Sequence, residues 1–188
     1  MSRIITDVAR KYWMPVGREV SGTDVASLDI TDLGDYLAVR FFLSVRPATD
    51  SVNLNARFSD DNGLSWYNTS GDYRYVTRLG RNNAGTAVTG GAASNSDSIM
   101  SLCGSVGQAG ANERADIVIT WLNVNASDEA PIIQYRYGYK RADNNEVGGF
   151  GCAQNDVNTS GLAQPAIQFL FGSGNIDHYS YTMEAMLT

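Results

Sequence analysis

The chain has 188 residues, enough for one domain with a substantial core and no need of a metal or disulfide staple. Only 18% of residues are charged, Gly, Asn and Ser supply 51 of the 188, and lysine occurs only at Lys11 and Lys140 against 12 arginines, which excludes a helical bundle or coiled coil. The net charge of -6 and the lack of any basic run exclude nucleic acid as the main partner, and no apolar stretch is long enough to insert in a membrane as a helix.

The N-terminus, Met1 to Asp7, lacks the apolar core of a signal peptide, so the expectation is synthesis in the cytoplasm without export by that route. Residues 1–20 read as an arm separate from a single β-domain over 21–188. Ile4, Ile5, Val8 and Tyr12 fall near one side of a possible turn or two of helix, and with Trp13 they form a set of apolar anchors.

From there the chain alternates. A strand is predicted over Val25–Leu33. Leu37, Val39, Phe41, Leu43 and Val45 alternate with polar residues such as Arg40 and Arg46, the period-2 signature of a strand with one buried face. Pro47-Ala48-Thr49-Asp50 is a turn, and Val52, Leu54, Ala56 and Phe58 form the next strand. Asp72–Leu79 sets Tyr73, Tyr75 and Leu79 against Arg74 and Arg78. Asp116–Val124 carries Ile117, Ile119 and Trp121 on one side and Val118 and Leu122 on the other, so both its faces are expected to be covered. Ile133 to Tyr139, Ile167 to Phe171 and Tyr179 to Leu187 complete the set. Gly80–Arg114, apart from a short strand over Ser98–Cys103, and Asn144–Gln164 break the pattern and read as long surface loops. About eight short strands joined by Gly/Asn/Asp turns imply an all-β, antiparallel sandwich or barrel.

Chemistry is sparse. The single histidine, His178, has no Gly-x-Ser-x-Gly elbow to serve, and one histidine with two distant cysteines is a poor zinc set. Cys103 and Cys152 read as two buried thiols in preference to a disulfide. Asp60, Asp61, Glu113, Asp116, Asp128, Glu129 and Glu184 are solvated turn or strand carboxylates unless two of them meet across a groove, as a glycosidase requires. Asp60-Asp61-Asn62-Gly63 lacks the terminal Glu of a calcium loop. The residues therefore nominate no catalytic group, metal or cofactor.

Ser59-Asp60-Asp61-Asn62-Gly63-Leu64-Ser65-Trp66 resembles the Asp-box, Ser-x-Asp-x-Gly-x-Thr-Trp, a structural motif of sialidases and other carbohydrate-active proteins. Asp61 is expected to bond turn amides, Gly63 to take positive φ, and Trp66 to pack beneath a hairpin between Ala56 and Tyr67. Trp66, Tyr67 and Tyr73 are candidate platforms for a host-surface glycan. The competing reading makes the tyrosines of the strands structural.

Four pieces in order, Asp35-Tyr36 through Val45 to Leu54, Ser59 to Trp66, Ser70 to Tyr75, and Ile167-Gln168-Phe169-Leu170-Phe171-Gly172-Ser173-Gly174-Asn175-Ile176, resemble a family of small bacteriophage virion proteins related to tail-fibre and head-fibre modules. The resemblance spans roughly residues 35–188 and brings no catalytic residues. It implies a jelly-roll-like sandwich displayed on a virion assembled in the host cytoplasm, commonly as a homo-trimer. Other virion proteins would be its partners, with the arm as anchor. Asp177 and Tyr179-Ser180-Tyr181 depart from the small residues usual at that place. The expected role is a non-enzymatic tail-tip or fibre protein that touches the host. The alternatives are a capsid decoration or head-fibre protein, and a carbohydrate-binding module or glycan-cleaving enzyme.

Overall fold

Alternating sequence becomes alternating burial. In the computed structural model, which describes residues 12–83, 86–108, 113–125, 130–141, 143, 145–156 and 163–187, Val39, Phe41, Leu43 and Val45 are buried while Phe42 faces outward. Twelve strands occur among the described residues: β1 Met14–Val25, β2 Leu28–Ile30, β3 Tyr36–Pro47, β4 Val52–Ser59, β5 Tyr73–Asn83, β6 Thr86–Asp97, β7 Met100–Val106, β8 Ala115–Leu122, β9 Ile132–Lys140, β10 Glu146–Asn155, β11 Ala166–Phe171 and β12 Ile176–Leu187. They form an all-β antiparallel sandwich. One sheet has eight strands in the order β1-β12-β3-β8-β9-β10-β5-β6, and the other has four in the order β2-β11-β4-β7. The strand number therefore exceeds the eight expected from sequence.

Three further expectations change. The arm drawn over residues 1–20 is too long, because residues 14–20 already belong to β1, whose Met14, Pro15 and Val16 pair with Ala185, Glu184 and Met183 of β12. The stretch read as a loop over 80–114 contains the end of β5 and all of β6, its expected short strand over Ser98–Cys103 is β7, and the stretch over 144–164 contains β10. The second face of β8 is not covered, since Leu122 stays 37% exposed.

The core lies where the four-stranded sheet covers the middle of the larger one. Phe169 of β11 meets Phe41 of β3 edge to face at 6.1 Å between centroids, and Phe58 of β4 packs on Trp121 of β8 at 4.6 Å. The chain passes between sheets at its turns. Gly172–Asn175 is such a corner, carrying the chain from β11 in the small sheet to β12 in the large one. Gly174 takes φ +71°, and the Asn175 carbonyl accepts from the Ala48 amide at 2.8 Å.

The small sheet meets β5 through Tyr73, whose ring lies 6.3 Å from that of Phe58 of β4. Beside it, Tyr135, Tyr137 and Tyr139 of β9 line the inner face of the large sheet. Their rings are nearly buried, and their hydroxyls reach the Ser101 carbonyl (3.4 Å), the Thr77 hydroxyl (3.1 Å) and the Gly104 carbonyl respectively. The tyrosine row is thus structural.

Candidate binding face

The Asp-box turn is formed as its residues dictate. Asp61 accepts from the Ser65 amide (2.8 Å), the Ser65 hydroxyl (2.6 Å) and the Ser59 hydroxyl (2.6 Å), and these bonds pull its carboxyl down to a pKa of about 2. Gly63 takes φ +90°, and a β-carbon there would lie 3.4 Å from the Trp66 ring. The hairpin closes through Tyr67 N–H to the Phe58 carbonyl at 3.0 Å. The turn holds its own shape and leaves Leu64 89% exposed at its tip.

The three rings proposed for glycan contact are used by the fold. Tyr73 is fully buried, which corrects the expectation that it faces a ligand: its hydroxyl accepts from the Phe58 amide (2.9 Å) and donates to the Tyr67 carbonyl (3.0 Å). Trp66 and Tyr67 are half-buried. Tyr67 bonds Asp60, and burial pushes its phenol well above the usual range.

The candidate anchors separate. Ile4, Ile5 and Val8 lie outside the described residues. Tyr12 is exposed, and Trp13 is half-buried with its ring 4.3 Å from the Arg40 guanidinium carbon. Among the described residues His178 touches Arg46 (2.7 Å) and Asp177 (3.0 Å), with no serine hydroxyl in its set. The Arg46 bond, with that from His178, holds the Asp177 carboxyl below the ordinary carboxylate value. Glu184 pairs with Arg40 at 3.5 Å, and Asp116 with Arg114 at 3.2 Å. Among the described residues no three His, Cys, Asp or Glu side chains converge as metal ligands would. Cys103 is buried, with its thiol pushed up to about 12 by burial. Cys152 is exposed, contrary to the expectation of two buried thiols, and both are free.

Cys152 lies in the feature that sequence reading missed. Strand register carries a row across the outer face of the large sheet: Phe42, Val118, Arg136, Phe150, Arg78 and Gly91. The next row reads Arg40, Thr120, Gln134, Cys152, Val76 and Ala93. Between the rows is a shallow hollow of about 520 Å³ walled by Val118, Arg136, Phe150, Cys152, Val76 and Arg40. Phe150 is 64% exposed and stands between Arg136 and Arg78, one strand away on either side. The two guanidinium-bearing strands are therefore roughly 9.5 Å apart, twice the spacing of neighbouring strands. Neither Arg78 nor Arg136 has an ion-pair or hydrogen-bond partner among the described residues. Ile132 and Leu122 extend the apolar surface beside them.

This is the composition of an interface centre: aromatic and aliphatic groups with arginine, no lysine, and carboxylates only where already paired. A signal was present in the sequence, because Arg78, Arg136 and Phe150 each sit at the outward position of a strand. What was lacking was the register that makes them neighbours.

No protein-family model and no curated protein matches the sequence. Three solved structures show distant likenesses. The catalytic domain of PdAgaC has 10% identity and a TM-score of 0.27 over 90% of this chain and 76% of that one. The infectious bursal disease virus VP2 subviral particle has 10% identity and a TM-score of 0.15 over 94% of this chain and 41% of that one. Lysenin in complex with phosphocholine has 5% identity and a TM-score of 0.13 over 88% of this chain and 50% of that one. Similarity at this level assigns neither ligand nor activity.

Proposed function

We propose that the protein is a non-enzymatic structural component of a bacteriophage particle, in the tail-tip or fibre apparatus, that works by docking and not by chemistry. One observation carries the docking reading. The outer face of the eight-stranded sheet presents Phe150 between two arginines that have no partner among the described residues, over an apolar hollow. Leaving that surface in water gains nothing for the fold, so its use lies in contact with another molecule. The resemblance of residues 35–188 to phage fibre modules supports the virion setting, and the apolar Ile4, Ile5 and Val8 suit an anchoring role.

Purified particles of the encoding phage test this. Quantitative mass spectrometry should find the protein at a fixed copy number in each particle: a few copies for a tail position, tens to hundreds for a capsid decoration. A chain lacking residues 1–11 should fold and be missing from particles. Absence of the intact protein from particles would sink the proposal, and normal incorporation of the truncated chain would sink the anchoring role.

A further inference from the structure

We propose that the hollow on the outer sheet face receives the Asp-box turn of a second copy of this chain, with Leu64 as the inserted anchor, so that the protein assembles head to tail. The inference does not depend on the phage reading.

It starts from charge. On a chain of net charge -6, the hollow is bounded by Arg40, Arg78 and Arg136, and the last two lack partners among the described residues. An occupant must therefore be acidic around an apolar centre. The chain's own arm fails that requirement, because residues 1–11 carry Arg3, Arg10 and Lys11 against the single Asp7. The Asp-box turn meets it. Leu64 is 89% exposed, the most exposed of the large apolar side chains among the described residues, on a turn held by the Asp61 bonds. Asp60 and Asp61 precede it by four and three residues in the same turn. Asp32 adjoins it, with its carboxylate accepting from the Asn62 side-chain amide at 2.7 Å. Neither residues 58–73 nor residues 19–39 contain a lysine or arginine.

The two surfaces are thus complementary in shape class and sign. An apolar knob with carboxylates faces an apolar hollow with guanidiniums. They lie on different parts of the molecule, so the contact is heterologous. Such contacts close into rings or extend into filaments, according to the rotation between copies. Placing Leu64 against Val118, Val76 and Phe150 removes apolar surface from water on both sides. Arg78 and Arg136 gain carboxylates that the described residues of their own chain do not supply them.

Sedimentation of the full chain over a range of concentrations tests this, with Leu64→Asp and the double variant Arg78→Glu/Arg136→Glu. All three side chains are exposed, so circular dichroism should show an unchanged fold. The wild type should self-associate, and less so at high salt. Each variant should weaken association at least about tenfold, the effect of losing one buried leucine anchor or its charge partners. A 1:1 mixture of the variants is decisive. One retains an intact turn and the other an intact hollow, so the mixture should form a species of twice the monomer mass that neither forms alone. A wild type that stays monomeric at every concentration, association unaffected by Leu64→Asp, or a mixture with no dimer would each overturn the proposal.

Discussion

The Tyr137 ring lies flat against the backbone of Gly149 on the neighbouring strand, where a β-carbon would sit 2.5 Å from the phenol ring. The same relation joins Tyr135 to Gly151, again at 2.5 Å. The glycines of β10 leave room for the large tyrosine rings of β9 on the inner face of the sheet. Gly149→Ala should therefore destabilise the protein by about 1–3 kcal/mol through overpacking. Gly148, on the other face, would place its β-carbon 3.8 Å from the nearest atom, so Gly148→Ala should be nearly silent. Urea unfolding of the pair checks this, and equal effects would refute the packing role.

That relation also explains what the sequence hid. Strands β3, β4, β8, β9 and β11 bury one apolar face against the opposing sheet, so their alternation is plain in the order of residues. In β10, Gly149 and Gly151 stand where apolar residues would mark the buried face, because the partner ring supplies the bulk. In β6 nothing covers either face, and Thr86 to Asp97 carries no alternation to read. Residues 14–20 escaped because, among their described side chains, this part of the edge strand half-buries only Met14 and Val16. The Asp-box was legible to the level of Asp61, Gly63 and Trp66 because its bonds are local. The hollow was not, since Arg136 and Arg78 are 58 residues apart and only the intervening β10 makes them neighbours.

The buried tyrosines set an alkaline limit. Burial raises the phenols of Tyr73, Tyr135 and Tyr139 well above the ordinary value near 10. The folded chain therefore keeps protons that the unfolded chain gives up. Stability should be independent of these groups below about pH 10 and fall above it, by about 1.4 kcal/mol per pH unit for each such tyrosine. Urea midpoints at pH 9, 10 and 11 measure the slope. Tyr73→Phe should make it shallower. At neutral pH the same variant should cost about 1–3 kcal/mol, because the buried Phe58 amide loses its acceptor.

The acid side has the opposite sign. Asp61 is held at about 2 by the hydroxyls of Ser59 and Ser65 and by turn amides, below its value of 3.8 when free. Its contribution is present above pH 4 and is lost as pH falls towards 2. Asp61→Asn should lower the melting temperature at pH 7 and flatten the pH dependence between 4 and 2. A variant whose acid profile matches the wild type would show that the turn is not held by this carboxylate.

The extent of β1 gives a final test, one that separates attachment from folding. Met14, Pro15, Val16 and Val20 pair with Ala185, Glu184, Met183 and Tyr181, so β1 covers the edge of β12 along most of its length. Removing residues 1–11 leaves that pairing intact, and the melting temperature should not change. Removing residues 1–20 strips half the strand and opens the unpaired amides and carbonyls of β12 to other chains. At about 1 kcal/mol for each hydrogen bond lost, the longer deletion should cost roughly 2–4 kcal/mol and promote aggregation. Thermal unfolding with light scattering on both truncations reads the difference. If the longer deletion melts with the intact protein, residues 14–20 contribute nothing to the sheet, and the arm would extend to residue 20 after all.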